Sequence, residues 1–331
     1  MSETSKPQHD SYSFVSPTYG TAIRFSFSAH VDSDLRSLQV NDALTFESTK
    51  IQFSGTNEVM CMRDIAGTDG VVLAIMFSST SGVQVSGNAV MVAAGVAITA
   101  AHLFRDDIAA LRTGELEILC VGHSAGSQQH WGPTGITFVP ETDLAILSLT
   151  LINGLPAGGK FRFASLTTRM PRKGELVSIA GFVPSKEDND EWEPGGKIRS
   201  YPLVSRGKVV QQYAPRRDTV LMRWPALEID CPSWGGMSGA PVFDLDGWLI
   251  GLLSTSISTE DTPKPSFVSL VWGALGWPFA GGWPCPTPDT ERTLLHMADK
   301  TCAIERPNAL EMQYGSDGAP TGFKYYRWHD R

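Results

Sequence analysis

The chain has 331 residues, 42% apolar and 19% charged, with a formal net charge of −8. That apolar share supports a sizeable core and excludes global disorder, while the acidic balance excludes a general nucleic-acid binder, which draws on clustered Lys and Arg. Apolar runs of the roughly 18 residues needed to span a bilayer are absent, and the richest stretch, Ala89 to Ala101, is broken by Gly95.

Met1 to Pro17 has neither the basic start nor the apolar run of a secretory leader, which points to a cytoplasmic protein. Residues 1–65 read as an N-terminal extension, rich in Ser, Thr, Asp and Asn, with a strand over Ala22 to Phe27. Short β-rich runs follow. Strands are predicted at Val71–Phe77, Ala89–Val92, Val96–Thr99, Leu116–Val121, Ile136–Val139 and Leu144–Leu149. A Gly- and Pro-bearing linker, Gly154–Gly159, ends a first unit spanning 66–160. A second unit, 161–275, carries predicted strands at Leu176–Phe182, Ser205–Tyr213, Thr219–Trp224, Pro241–Phe243, Trp248–Ser254 and Phe267–Val271. Between the first two of these, Lys186–Glu193 reads as a solvated loop. Residues 276–331 read as a C-terminal tail: Trp277–Pro288 is too rich in Gly and Pro for regular structure, and Thr290–Lys300 holds one short helix. Many short strands with few helical periods indicate an all-β sandwich or a pair of barrels.

Three segments carry chemistry together. His102 follows the apolar strand Ile98-Thr99-Ala100-Ala101; Asp143 heads another, Leu144 to Leu149; Ser238 sits in the Gly-rich turn Gly235-Gly236-Met237-Ser238-Gly239-Ala240-Pro241. A serine hydroxyl is a weak nucleophile and needs a neutral imidazole to take its proton. The imidazole needs a carboxylate to fix its tautomer and stabilise the imidazolium. A glycine two positions before the serine lets backbone N–H groups face a developing oxyanion without a Cβ in the way. Taken singly, each segment is an ordinary strand end, cap or turn. Their conjunction in the order His, Asp, Ser differs from the Ser, Asp, His order of α/β-hydrolases and the Asp, His, Ser order of subtilisin-type enzymes.

In Thr99-Ala100-Ala101-His102, Asp143-Leu144-Ala145 and Gly236-Met237-Ser238-Gly239-Ala240-Pro241 the sequence resembles the chymotrypsin-like serine peptidases, over about 70 to 275. The resemblance implies an all-β fold of two packed six-stranded antiparallel β-barrels, here with N- and C-terminal extensions. It implies His102 as general base, Asp143 as its orienter and Ser238 as nucleophile. The backbone amides of Gly236 and Ser238 would form the oxyanion hole. It also implies a primary specificity pocket with Pro232 at its base and Ser254, Thr255 and Ser256 along its wall. The departures point to a bacterial or viral branch. Met237 stands where animal digestive members carry the Asp that receives a freed N-terminus, and Leu103 where they carry a disulfide cysteine.

The expected activity is therefore a serine endopeptidase with a protein or peptide substrate, cleaving after small or medium uncharged residues. No cofactor, metal, nucleic acid or membrane enters, and a regulatory partner acting on the flanks is left open. Two other readings stand beside it: a silent peptide-binding module on the same fold, and an esterase or acyl transferase using the same residues. Five scattered cysteines, with no Cys-x-x-Cys pair, read as reduced thiols, and Cys231 as packing beside the Ser238 loop. Cys285, His296 and Cys302 do not make a metal set, and Lys324–His329 reads as a tail segment packing on the body.

Overall fold

A computed structural model of the chain describes residues 11–15, 24–26, 45–53, 59–61, 68–124, 127–154, 160–184, 200–256, 265–281, 283, 292–298, 301–316, 318 and 320–326. The expected loop 186–193, linker positions 155–159 and residues 284–291 lie outside the described residues.

The first barrel contains β1 (Val72–Ser79), β2 (Gly82–Ala93), β3 (Val96–Ala100), β4 (Leu116–Ser124), β5 (Ser127–Phe138) and β6 (Leu144–Asn153). They run in the order β6-β3-β2-β1-β4-β5, and β5 pairs back with β6 to close the ring. The second barrel contains β7 (Leu176–Pro184), β8 (Ser200–Tyr213), β9 (Ala226–Ile229), β10 (Pro241–Asp244), β11 (Leu249–Ser256) and β12 (Ser266–Leu270). Its order is β10-β7-β8-β9-β12-β11, closed by β10 on β11. This is the chymotrypsin-like double barrel.

Burial explains why the strand sequences are apolar on both faces rather than alternating. Along β1, Leu73, Ile75 and Phe77 point into the first barrel with Met91, Trp131, Ile136 and Leu147. Their neighbours Val72 and Ala74, with Val90, Ile98 and Ile146, join the core that contains Val177, Ile179, Val242 and Leu252 of the second barrel. A period-two strand with water on neither side loses its polar face.

The described segments of both flanks are built into the body. Arg24–Ser26 pairs with β5, inside the Ala22–Phe27 expectation, and Thr45–Thr49 lies parallel to Lys160–Ala164. Phe46 stacks on Phe161 at 5.5 Å, and Trp283 meets Phe161 and Trp131 edge-on at 5.3 and 5.9 Å. The C-terminal segment, read as a tail, forms the hairpin Leu310–Tyr314 and Pro320–Tyr326, whose second strand pairs with Ser11–Val15. Tyr325 stacks on Trp272 at 4.1 Å, while Thr293 caps the short helix Leu294–Met297.

One predicted strand is corrected. Thr219–Trp224 is a turn, and the strand begins at Ala226 instead. The Asp218 carboxylate accepts the amides of Val220, Leu221 and Met222 at 2.8, 2.6 and 3.1 Å, taking the donors a ladder would need. Among the described residues no helix is long and apolar enough to cross a membrane.

Candidate active site

The antiparallel register between β3 and β6 brings two of the candidates together. Ala100, near the exit of β3, faces Leu144, the first residue of β6, so the next residue out on each side is a neighbour. Ala101 N donates to the Asp143 carbonyl at 3.1 Å, and His102 N donates to Asp143 Oδ1 at 2.9 Å. His102 Nδ1 lies 2.8 Å from Asp143 Oδ2. The Asp143 side chain is 5% exposed and that of His102 is 41% exposed, so a buried carboxylate orients a ring that still reaches solvent. The turn before Asp143 is held by Thr142, whose hydroxyl donates to Val139 O at 2.9 Å and accepts Leu144 N at 3.1 Å. Arg105 fastens the same turn by donating to Thr142 O at 2.7 Å.

Ser254 donates to Asp143 Oδ2 as well, in a short hydrogen bond. The pocket-wall role expected for Ser254 came from its place after the serine; the structure turns its buried hydroxyl onto the carboxylate. The carboxylate thus faces three partners: His102 N, His102 Nδ1 and the Ser254 hydroxyl. No local signal in Leu253-Ser254-Thr255 announces this, because the contact spans more than a hundred residues of chain.

Ser238 occupies a turn between the barrels. Its carbonyl accepts Asn88 N of β2 at 2.8 Å, and the next residue, Gly239, donates to Leu253 O at 2.8 Å. A Cβ on Gly239, at φ +78°, would stand 2.2 Å from Asn88 O and 3.1 Å from Ala100 N, two residues before His102. Only glycine lets the Ser238 turn close on the strand that delivers the histidine. The Ser238 hydroxyl itself makes no hydrogen bond among the described residues. Met237 N donates to Trp234 O at 3.1 Å and Ala240 N to Met237 O at 2.9 Å. The amides of Gly236 and Ser238, between them, take no acceptor among the described residues. Gly236 has φ +87°, and its missing Cβ would stand 2.4 Å from Pro184 Cδ.

The other pocket candidates are dispersed. Pro232 is half-buried, Thr255 is exposed opposite Phe267, and of Ser256 only the backbone is described. Ser233 and Ser266 join hydroxyls at 2.8 Å, and Ser266 also donates to Cys231 O at 2.9 Å. The nearby carboxylates are engaged: Asp230 accepts Lys208 N in a short bond, and Glu228 accepts the Tyr213 hydroxyl at 2.6 Å. Cys231 is fully buried, its thiol 3.8 Å from Val177 O.

No curated protein matches the chain. Among solved structures, the HtrA-type protease AlgW with a tripeptide is 20% identical, with a TM-score of 0.40. The likeness covers 61% of this chain and 56% of that one, so the chain spans little more than half its length. The apo MamO protease domain from Magnetospirillum magneticum is 17% identical over 62% of this chain and 93% of that one, with a TM-score of 0.41. The family described as trypsin-like peptidase domain matches residues 80–252, just over half of the sequence. That stretch contains His102, Asp143 and Ser238, and the chain belongs to the trypsin-like peptidase domain family.

Proposed function

We propose that the chain is a serine endopeptidase that hydrolyses peptide bonds through an acyl-enzyme. The observation that carries the reading is the buried Asp143 carboxylate on His102 Nδ1 at 2.8 Å, beside a serine turn whose two neighbouring amides are unengaged among the described residues. With Asp143 holding the Nδ1 proton, Nε2 is left as the acceptor. Ser238 Oγ attacks the carbonyl carbon and its proton passes to Nε2. The carbonyl oxygen becomes an oxyanion facing the Gly236 and Ser238 amides. Collapse breaks the C–N bond as Nε2 returns the proton to the leaving amine, and water then repeats the sequence to release the acid. Each oxyanion donor is worth about 2.7–4 kcal/mol in such a step.

The specificity we infer is for small or medium uncharged residues on the acyl side. A buried Lys or Arg needs a carboxylate partner, and Asp230 and Glu228 are committed to Lys208 N and Tyr213. The Ser233–Ser266 hydroxyl pair offers no counter-charge. The cytoplasm is the compartment proposed, consistent with the buried Cys120 and Cys302 thiols, both pushed up to about 12 by burial and so kept as unreactive SH groups.

The test is labelling of the full chain by a fluorophosphonate, followed by a peptide library profiled at the residue before the cut. Wild type should label one serine and cleave peptides, and Ser238→Ala should do neither. Labelling without peptide cleavage would make it an esterase, and no labelling would make it a binding module. A dominant Arg or Lys preference, lost in Asp230→Ala, would overturn the specificity.

A further inference from the structure

Met237 is fully buried where it carries no charge for an ion pair, so the Gly236–Ser238 turn needs another anchor. Asn88 is the side chain that reaches it. Asn88 is 0% exposed and lies on β2, in the first barrel, whereas the turn belongs to the second. Its Nδ2 donates to Gly236 O at 2.8 Å and to Phe182 O at 3.1 Å, and its Oδ1 accepts Phe182 N at 2.6 Å. Its backbone joins the same cluster: N donates to Ser238 O at 2.8 Å, and O accepts the Thr99 hydroxyl at 2.5 Å. One residue therefore grips the turn at Gly236 and Ser238, the β7 strand at Phe182 and the β3 strand at Thr99.

The geometry points to Asn88 as the positioning residue of the oxyanion site, an assignment that rests on the peptidase reading and deepens it. The carbonyls of Gly236 and Ser238 both turn toward Asn88. In a trans peptide the carbonyl and the next N–H point opposite ways, so holding Gly236 O sets Met237 N toward Trp234 O. Holding Ser238 O likewise sets Gly239 N toward Leu253 O. Gly236, at φ +87° and without a Cβ, has backbone freedom that other residues lack. With the Asn88 amide gone, Gly236 O loses its partner and this peptide can turn over, taking its neighbours' alignment with it. Asn88 touches no reacting atom, and its side chain reaches the turn through Gly236. Nothing in Ser86-Gly87-Asn88-Ala89 signals the role, because all its side-chain partners lie more than ninety residues away in sequence.

The experiment compares wild type, Asn88→Ala and Asn88→Ser, as full chains, on a blocked alanine p-nitrophenyl ester, with fluorophosphonate titration counting active sites. Asn88→Ala is expected to lower kcat per labelled site about 100-fold, the scale of losing one oxyanion donor, with KM within about threefold. Asn88→Ser, which keeps a hydroxyl donor, is expected to recover part of that loss. It also decides the matter by the same criteria if the alanine chain does not fold. A kcat per labelled site within about threefold of wild type overturns the assignment, as does a lowered site count with unchanged turnover per site, which is what a purely structural Asn88 gives. A wild-type chain that neither labels nor turns over ester, like the Ser238→Ala control, instead overturns the peptidase reading and this assignment with it.

Discussion

Replacing Asp143 by Asn keeps the shape of the site and turns one of its two acceptor oxygens into a donor. The carboxylate accepts His102 N at Oδ1, and His102 Nδ1 and the Ser254 hydroxyl at Oδ2. An amide can be seated two ways. With its oxygen at the Oδ2 position, it keeps the ring and Ser254 but sets its NH₂ against the His102 backbone N–H. That leaves donors facing each other, at a cost of about 1–3 kcal/mol for a buried unsatisfied group. With its NH₂ at the Oδ2 position, every group is satisfied once the Ser254 hydroxyl rotates to accept and His102 moves its proton to Nε2. The second seating wins, and it leaves no lone pair on Nε2 for the Ser238 proton. The wrong tautomer alone costs a factor of about 5 to 150, from that same difference of about 1–3 kcal/mol. Loss of the negative charge beside the forming imidazolium adds to it. The total expected is a fall in kcat of about 10⁴, or about 5.4 kcal/mol at 1.36 kcal/mol per decade. The assay is ester turnover per fluorophosphonate-labelled site at pH 7–8, with a melting curve showing the chain folded. A folded Asp143→Asn chain within about threefold of wild type would refute Asp143 as the orienter of His102.

Further outcomes follow from other contacts. Gly236→Ala forces a Cβ to within 2.4 Å of Pro184 Cδ at φ +87°; with strain of about 1–2 kcal/mol, ester turnover should fall at least tenfold, and an unchanged rate would argue against the amide pair. At Glu175, burial pushes the carboxyl up, but the Arg169 hydrogen bonds, the Arg172 amide and the charges of both arginines together outweigh it, so the net shift is below the ordinary range. That stabilisation is present above the unfolded carboxylate value of about 4.3 and is lost as pH falls through the lower folded one. Glu175→Gln should therefore cost about 1.5–3 kcal/mol at pH 7, with the gap to wild type closing below about pH 4; a gap independent of pH would contradict the ion pair. Tyr325→Ala, which empties the stack on Trp272, should cost about 3–5 kcal/mol in urea unfolding, and a neutral result would show the C-terminal hairpin to be an appendage.

Most strands of both barrels were legible as apolar runs, because a strand buried on both faces carries its own signature; Ala226–Ile229 and the first part of Ser127–Phe138 were not. His102 and Asp143 were legible as a pair of strand ends. Their hydrogen bond follows from the antiparallel register of Val96–Ala100 on Leu144–Asn153, which the fold supplies. The Thr219–Trp224 strand was misread, since apolar residues there outvoted Asp218, whose carboxylate takes three backbone donors. The C-terminal hairpin was missed because its ladder partner, Ser11–Val15, lies at the other end of the chain.

By itself the sequence determined the all-β class and offered three candidate residues, through local cues of strand, turn and glycine taken in conjunction. Tertiary structure alone decided what touches them. The Ser254 hydroxyl on Asp143, the Asn88 amide on Gly236 and the diversion of Asp230 to Lys208 N are all contacts made across strands or between barrels. A side chain's hydrogen-bond partner depends on which strands closure brings within about 3 Å, and composition and periodicity along one strand carry no record of that.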